Sequence, residues 1–136
     1  MTIIEQKQIK EKYYSEALRY MDNAKETLQK AGKDGSLYLD VKYVKTACGT
    51  AYNAVLIAMD CMFLIKGISA PKRRKSIEYY RNNASKVDRK SMDLLNSAYN
   101  VLHLDGYYDG IKAVKVIQSG FDSAYEIIEK IKPDSV

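Results

Sequence analysis

Apolar residues recur at steps of three and four through most of this chain, and that spacing constrains its fold more than any other feature. An α-helix has 3.6 residues per turn, so these steps place apolar side chains on one helix face. The pattern predicts a first helix from about Glu5 to Ala31, ended by the turn-forming run Gly32–Gly35. Its apolar stripe consists of Ala17, Met21, Ala24, Leu28 and Ala31.

The second predicted helix runs from Asp40, as its N-cap, to Lys66, and it is apolar almost all round. A helix of this kind is usually surrounded by other helices, so we predict that it lies at the centre of a bundle. Its most apolar stretch, Ala54–Ile65, contains Asp60 and is shorter than the ~20 apolar residues that a bilayer requires. One side of the helix is lined by Val41, Val44, Cys48, Ala51, Val55, Ala58, Met59 and Met62.

Weaker apolar patterns predict the remaining helices. A short helix is expected from Lys72 to about Ser85, and another from Asp88 to Leu104, and whether the two join into one kinked helix stays open. A last helix is expected from Asp109, as its cap, to Lys132, where Pro133 stops it. The chain is therefore predicted to be all-α, an antiparallel bundle of four long helices plus a short one.

Length and composition are those of one domain. The 136 residues are 46% hydrophobic and 29% charged, and a chain of this size buries about two-thirds of its unfolded surface. The polar start of the sequence predicts no secretory leader, which favours the cytoplasm. Two scattered cysteines and one histidine give no metal-ligand spacing, so no cofactor or metal is expected.

Positive charge is concentrated between residues 66 and 90. This stretch holds nine lysines and arginines against two acidic residues, a local charge of +7 in a chain whose total is +5. Tyr79 and Tyr80 lie inside it, which favours a surface that binds RNA or another polyanion. The alternative is an ordinary solvated helix face, since no nucleic-acid-binding motif accompanies the run. The candidate polyanion-binding residues are Lys72, Arg73, Arg74 and Lys75.

A narrow polar line crosses the otherwise apolar second helix, because Thr46, Asn53 and Asp60 repeat every seven residues. Two interpretations stay open. The line faces solvent or a neighbouring helix end, or Asp60 is partly buried and pairs with an arginine or a tyrosine. The second follows from the cost of burying an unpaired carboxylate.

The segment Tyr99–Gly110 contains the only histidine and interrupts the helical periodicity. His103 is either a structural residue at a helix end or a general acid or base that Asp105, Tyr107 or Tyr108 orients. A direct His103–Asp105 pair requires the helix to end at Leu104 or Gly106, because residues two apart do not share a helix face. The candidate ligand-binding residues of this segment are Asn100, Asp105, Tyr107, Tyr108 and Asp109.

The helix order, the small-residue run Ala51–Ala54 and the segment Leu102–Tyr108 resemble a HEPN-type helical domain, from about Tyr13 to Ile131. The resemblance implies a helical bundle that dimerises. In many such domains it also implies a metal-independent ribonuclease, whose signature is an arginine followed by four to six residues and then a histidine. His103 meets the histidine half, but the positions for the arginine hold Asn96, Ser97 and Ala98.

The missing guanidinium would supply the charge that stabilises the transition state at phosphate. The resemblance therefore implies a divergent, non-catalytic member, a homodimeric binding module for a nucleotide, an RNA or a protein partner, with no membrane association. The alternative is a metal-independent endoribonuclease or toxin-type protein. In that case His103 is the acid or base, and Arg89 or Arg81 of either protomer replaces the missing arginine.

Overall fold

Helices dominate the computed structural model, which describes residues 1–134. Over these residues it contains five α-helices, one π-helical segment and a two-stranded hairpin, so the predicted all-α class is confirmed. The elements are α1 (Ile3–Gln29), β1 (Lys33–Asp34), β2 (Leu37–Tyr38), α2 (Val41–Ile65), α3 (Ile77–Val87), α4 (Arg89–Ala98), the π-segment (Tyr99–Tyr108) and α5 (Val114–Glu129).

The first two helices form an antiparallel pair joined by the hairpin. A capping box starts α1, in which the Thr2 hydroxyl accepts from the Glu5 amide at 3.1 Å and the Glu5 carboxylate accepts from the Thr2 amide at 3.4 Å. Asp40 caps α2 as predicted, accepting from the Lys42 amide at 3.0 Å. The predicted apolar stripe of the first helix is buried in full.

Helix α2 lies at the centre of the fold, as its wide apolar face predicts. It packs against α1, the π-segment, α3, α4 and α5. By length and composition it is apolar enough to cross a membrane, but more than half of its most apolar stretch is buried inside the protein. Its two cysteines, Cys48 and Cys61, are buried and free.

Residues 72–104 do not form one kinked helix. Asp88 has an extended backbone, with φ −170° and ψ 169°, and it separates α3 from α4. Its carboxylate then caps α4 by accepting from the Ser91 amide at 2.7 Å. The predicted start of the short helix at Lys72 is wrong, because Ser76 is the N-cap and the four basic residues before it are exposed and non-helical.

The predicted break after Leu104 is absent, because α4 continues into the π-segment as far as Tyr108. The prediction that Asp109 caps the last helix is also wrong. Asp109 ends the π-segment, and the chain then pairs with the hairpin before α5 begins at Val114. The Tyr38 amide donates to the Lys112 carbonyl at 2.8 Å, and the Val114 amide donates to the Ser36 carbonyl at 2.9 Å.

Candidate ligand-binding cleft

A cleft of about 780 Å³ opens between the outer face of α2, the start of α3 and the π-segment. This volume is within the range of small-molecule binding sites. Three groups of side chains line it: a floor from α2, a rim just before and within α3, and an aromatic wall from the π-segment. The wall consists of Tyr99, His103, Tyr107 and Tyr108.

The aromatic wall is built by the winding of the π-segment. A π-helix bonds i to i+5, so its turns are wider than α-helical turns and side chains four apart stay on one face. Tyr99 and His103 have ring centres 5.2 Å apart, and His103 and Tyr107 have ring centres 6.0 Å apart, with planes inclined by 24° and 11°. These three residues form what we call the ring column. Tyr108 stands perpendicular to His103, with ring centres 4.9 Å apart.

Two glycines allow the π-segment to approach α2 closely. A Cβ atom at Gly106 would collide with the buried Cys48 side chain, and one at Gly49 would lie 2.9 Å from Cδ1 of Tyr107. The Tyr107 ring therefore lies directly against the backbone of α2. A larger residue at Gly106 requires one of the two elements to move, whereas a larger residue at Gly49 meets only the Tyr107 side chain.

The floor of the cleft is polar because part of the line predicted on α2 faces it. Thr46, Thr50 and Asn53 all line the cleft. The Thr46 hydroxyl donates to the Lys42 carbonyl and the Thr50 hydroxyl to the Thr46 carbonyl, each at 3.0 Å. Their oxygens therefore remain available as acceptors, and Asn53 is exposed.

The surroundings of Asp60 decide between the two interpretations of the polar line on α2. Its side chain is 26% exposed, it accepts a hydrogen bond from the Tyr80 hydroxyl at 3.0 Å, and it pairs with Lys75 at 3.2 Å. It is thus partly buried and paired with a tyrosine. Burial and the neighbouring Asp60 carboxylate raise the pKa of Tyr80, so this phenol stays protonated.

His103 is held by aromatic rings rather than by hydrogen bonds. Burial lowers its pKa, which favours the neutral imidazole. Within residues 1–134 no hydrogen bond joins its ring to another side chain, and Asp105 does not orient it. Tyr52 packs against it with ring centres 4.8 Å apart, and burial raises the pKa of Tyr52 to about 12.

The cleft brings together some of the residues proposed from sequence. His103, Tyr107, Tyr108, Arg74 and Lys75 line it. Those that do not line it are Asn100, Asp105, Asp109, Lys72, Arg73 and Arg89.

Several of the predicted residues that do not line the cleft make contacts elsewhere or are exposed. Lys72 and Arg73 are exposed on the same loop as Arg74, and the Asp105 carbonyl accepts from the Ile111 amide at 2.9 Å. The Arg89 side chain is 90% exposed and pairs with Asp93 at 3.3 Å.

Arg81 lies near the cleft. From the sequence it was predicted only as one of two arginines that could replace the missing arginine of the HEPN signature. Its Nε donates to Oδ1 of Asn96 at 3.0 Å, and its guanidinium lies 4.9 Å from the centre of the Tyr99 ring. Tyr52 and Tyr99, which line the cleft, were not among the site residues predicted from sequence. One available signal was the aromatic spacing of four at Tyr99, His103 and Tyr107, which places the three rings on one helix face.

Metal binding has no support among residues 1–134, since no cluster of three or more histidine, cysteine, aspartate or glutamate side chains could hold an ion there. The arrangement instead offers stacking surfaces, phenol donors and cations. These groups suit a ligand with an aromatic part and an anionic part.

Comparison with known proteins gives a family and a similar structure. Residues 12–133 match a family described as a domain of unknown function, DUF5618. A solved structure of a protein of unknown function from Dyadobacter fermentans is 38% identical, with a TM-score of 0.82, over 89% of this chain and 94% of that chain. No curated protein matches. Because the family match spans nearly the whole sequence, the chain belongs to the DUF5618 family.

Proposed function

We propose that the protein is a non-catalytic binding module whose cleft takes a nucleoside phosphate, either a free nucleotide or part of a single-stranded RNA. One observation carries the proposal. Exposed tyrosine rings and two cationic side chains line the same cleft.

The base would stack on Tyr107 and Tyr108, whose residues are 46% and 60% exposed. Stacking of a base on an aromatic side chain contributes about 1–3 kcal/mol and tolerates any base. Tyr108 stands perpendicular to Tyr107, so the two rings offer surfaces in different orientations. The polar floor then faces the sugar or the base edge.

The phosphate would bind at the rim, to Arg74 and Lys75. Arg74 is exposed, and no carboxylate pairs with it among the described residues. Lys75 shares its charge with Asp60 and is the weaker cation of the two. A guanidinium suits phosphate because its fork can donate two parallel hydrogen bonds.

Two features support the non-catalytic part of the proposal. His103 has no side-chain hydrogen bond among residues 1–134 that would orient it as an acid or base. Arg89, the first residue considered as a substitute for the missing arginine, pairs with Asp93 and does not line the cleft.

A metal-independent endoribonuclease or toxin-type protein is the second candidate, and Arg81 favours it. Asn96 occupies one of the positions where the HEPN signature requires arginine, and its carboxamide holds Arg81. A guanidinium from α3 thus lies beside the expected position. Cleavage of single-stranded RNA in the presence of EDTA, lost in His103→Ala, is the result that would establish this candidate in place of the first.

Homodimerisation and the HEPN-like classification belong to the same proposal. The exposed apolar residues Leu37, Leu39, Leu104 and Ile111 support an interface between copies. The DUF5618 family and the Dyadobacter structure carry no link to HEPN domains. Sedimentation should give about twice the 15.5 kDa chain mass, and a monomer at high micromolar concentration contradicts the dimer.

Binding of fluorescein-labelled octauridylate, followed by anisotropy, tests the proposed function. Replacing Tyr107 and Tyr108 together with Ala should weaken binding by about tenfold or more. Tyr14→Ala, on α1 and outside the cleft, is the matched control and should leave the affinity unchanged.

Salt dependence supplies a second measurement in the same assay. Log affinity should fall linearly with log salt, and replacing Lys72, Arg73, Arg74 and Lys75 with Gln should flatten the slope. Absence of binding at high micromolar protein, or equal affinities for the double variant and Tyr14→Ala, contradicts the proposal.

A further inference from the structure

Arg81 is held in place by neutral groups. The Asn96 carboxamide fixes its Nε at 3.0 Å, and the Tyr99 ring supports the guanidinium at 4.9 Å from the ring centre. These contacts occupy one N–H and one face of the group. The two terminal NH₂ groups keep their donors, because a guanidinium carries five N–H bonds in a fixed fork.

The charge of Arg81 is not neutralised by any carboxylate among residues 1–134, in contrast to two other arginines of the chain. Arg19 pairs with Glu16 and Arg89 pairs with Asp93. An arginine that is ordered but lacks an acidic partner is available to an incoming anion. Its side chain has already lost much of the rotational freedom that binding would otherwise remove.

The position of Arg81 relative to the cleft gives this charge a role. It lies at the Tyr99 end of the ring column, whereas Tyr107 lies at the other end. It follows directly on Tyr80 and lies one turn after Ile77, and both of these line the cleft. Tyr52 also lines the cleft. Burial raises the pKa of its phenol, and the positive charge of Arg81 acts in the opposite direction.

Cations therefore lie at two separate places along α3: Arg74 and Lys75 line the cleft, and Arg81 lies against Tyr99, one of the lining residues. Arg74 and Lys75 come just before the first turn of α3, and Arg81 comes after its first turn, roughly 8 Å farther along the axis at 1.5 Å per residue from Ser76. A mononucleotide with a single phosphate can engage one place only. A ligand with phosphates at two positions can engage both.

We infer that Arg81 is a second phosphate anchor, and that the ligand of the cleft carries at least two phosphates separated by a nucleoside, as in a dinucleotide or a segment of single-stranded RNA. This inference rests on the proposed function. It adds to that function the minimum length of the ligand and the residue that selects for it.

Calorimetric titration with uridine 5′-monophosphate and with the 5′-phosphorylated dinucleotide pUpU tests the inference. The wild-type protein should bind pUpU about tenfold more tightly than the mononucleotide, since a charge-assisted hydrogen bond contributes enough for that ratio. Arg81→Gln should remove this advantage, so that pUpU binds no more tightly than the mononucleotide. Arg89→Gln, which removes an arginine outside the cleft, is the matched control and should leave both affinities unchanged.

Two further variants keep the test decisive if Arg81→Gln lowers the melting temperature. Arg81→Lys retains the charge but loses the planar fork, and Asn96→Ala retains the arginine but releases its Nε. Each should reduce the preference for pUpU by a few-fold. Titration with octauridylate distinguishes a dinucleotide ligand from an RNA strand. Tighter binding than that of pUpU indicates an RNA strand, and equal binding indicates a dinucleotide.

The outcomes separate this inference from the proposed function. If the mononucleotide and pUpU bind equally well, or if Arg81→Gln, Arg81→Lys and Asn96→Ala all keep the preference for pUpU, Arg81 is not an anchor and the proposed function still stands. If none of the three probes binds, the proposed function itself is contradicted.

Discussion

The α1–α2 pair and the π-segment differ in whether the side chains on their characteristic face are buried or open to solvent. In the pair, apolar side chains recur at α-helical spacing and are buried, with capping residues at both helix starts. In the π-segment, only Leu102 and Gly106 are buried, and the aromatic residues line a cleft that solvent can enter. Regular α-helical spacing supplies packing, whereas the π-segment aligns rings along the cleft.

In a small helical fold, an irregular helix segment that lines a cleft is a natural place to look for function. π-Helical turns are rare and occur frequently at functional sites. The close contact of Gly106 with Cys48 shows that α2 is built to accept this segment. The account predicts that stability resides mainly in the α1–α2 pair and that binding resides in the cleft.

The largest effects are expected from one substitution in each region, which should change either stability or binding but not both. Met21→Ala removes a fully buried side chain of α1 and should lower the free energy of unfolding by about 2–5 kcal/mol, without changing octauridylate affinity. Tyr108→Ala should do the reverse, because its ring is mostly exposed. Urea denaturation and anisotropy measure the two quantities, and a Tyr108 variant that is as unstable as the Met21 variant would remove the distinction between the regions.

Gly106→Ala should break the contact between the π-segment and α2. The added methyl group collides with Cys48, so unfolding should require about 1–3 kcal/mol less, and ligand affinity should fall because the ring column shifts. Gly49→Ala is the matched control, since its methyl group meets only the partly exposed Tyr107 ring. Equal stability losses in the two variants would show that the Cys48 contact does not hold the segment in place.

His103→Ala should have a smaller effect, about 0.5–1.5 kcal/mol of stability, from the loss of aromatic ring contacts. Because burial lowers its pKa in the folded state, the contribution of a neutral His103 is complete above pH 6.5 and declines as the pH falls below that value. Urea midpoints of the wild type should therefore fall more on acidification than those of the variant. Parallel pH profiles for the two proteins would contradict a lowered pKa of the partly buried imidazole.

The smallest expected effect comes from Asp88, which joins the α3–α4 boundary to Lys130 just after α5. Hydrogen bonds from Lys130 and the Ser91 amide lower the pKa of Asp88 from 3.8 to about 2. The contribution of ionised Asp88 to the free energy of unfolding is complete above pH 3.8 and is lost as the pH falls towards 2. Because the carboxylate is nearly half exposed, solvent screening limits this contribution to about 1 kcal/mol or less. Lys130→Met should reduce acid sensitivity in this window, and an unchanged acid profile would exclude the pair as its source.

Local signals explain the parts of the fold that could be predicted from the sequence. The stripe of the first helix and the Asp40 cap follow from spacing and from a side chain that bonds its own helix, so neither depends on distant residues. The start of α3 was misplaced because Ser76 and the basic residues before it are all compatible with a helix. The choice between them follows from the Ser76 cap and the pairing of Lys75 with Asp60.

Tertiary contacts explain what the sequence could not show about the cleft. His103, Tyr107 and Tyr108 were identifiable as an unusual polar and aromatic segment, but their partner Tyr52 comes from α2. Arg81 and Asn96 are fifteen residues apart and meet because α3 and α4 fold against each other. No spacing rule within one helix predicts that contact.

Backbone amide NMR during titration with pUpU would locate the binding site that we propose in the cleft. The account predicts saturable shifts at Thr46–Asn53 on the cleft floor, around Arg81 and at Tyr99–Tyr108, while the α1 stripe from Ala17 to Leu28 stays unperturbed. Absence of shifts, or shifts confined to surfaces other than the cleft, would contradict a ligand site formed by the π-segment.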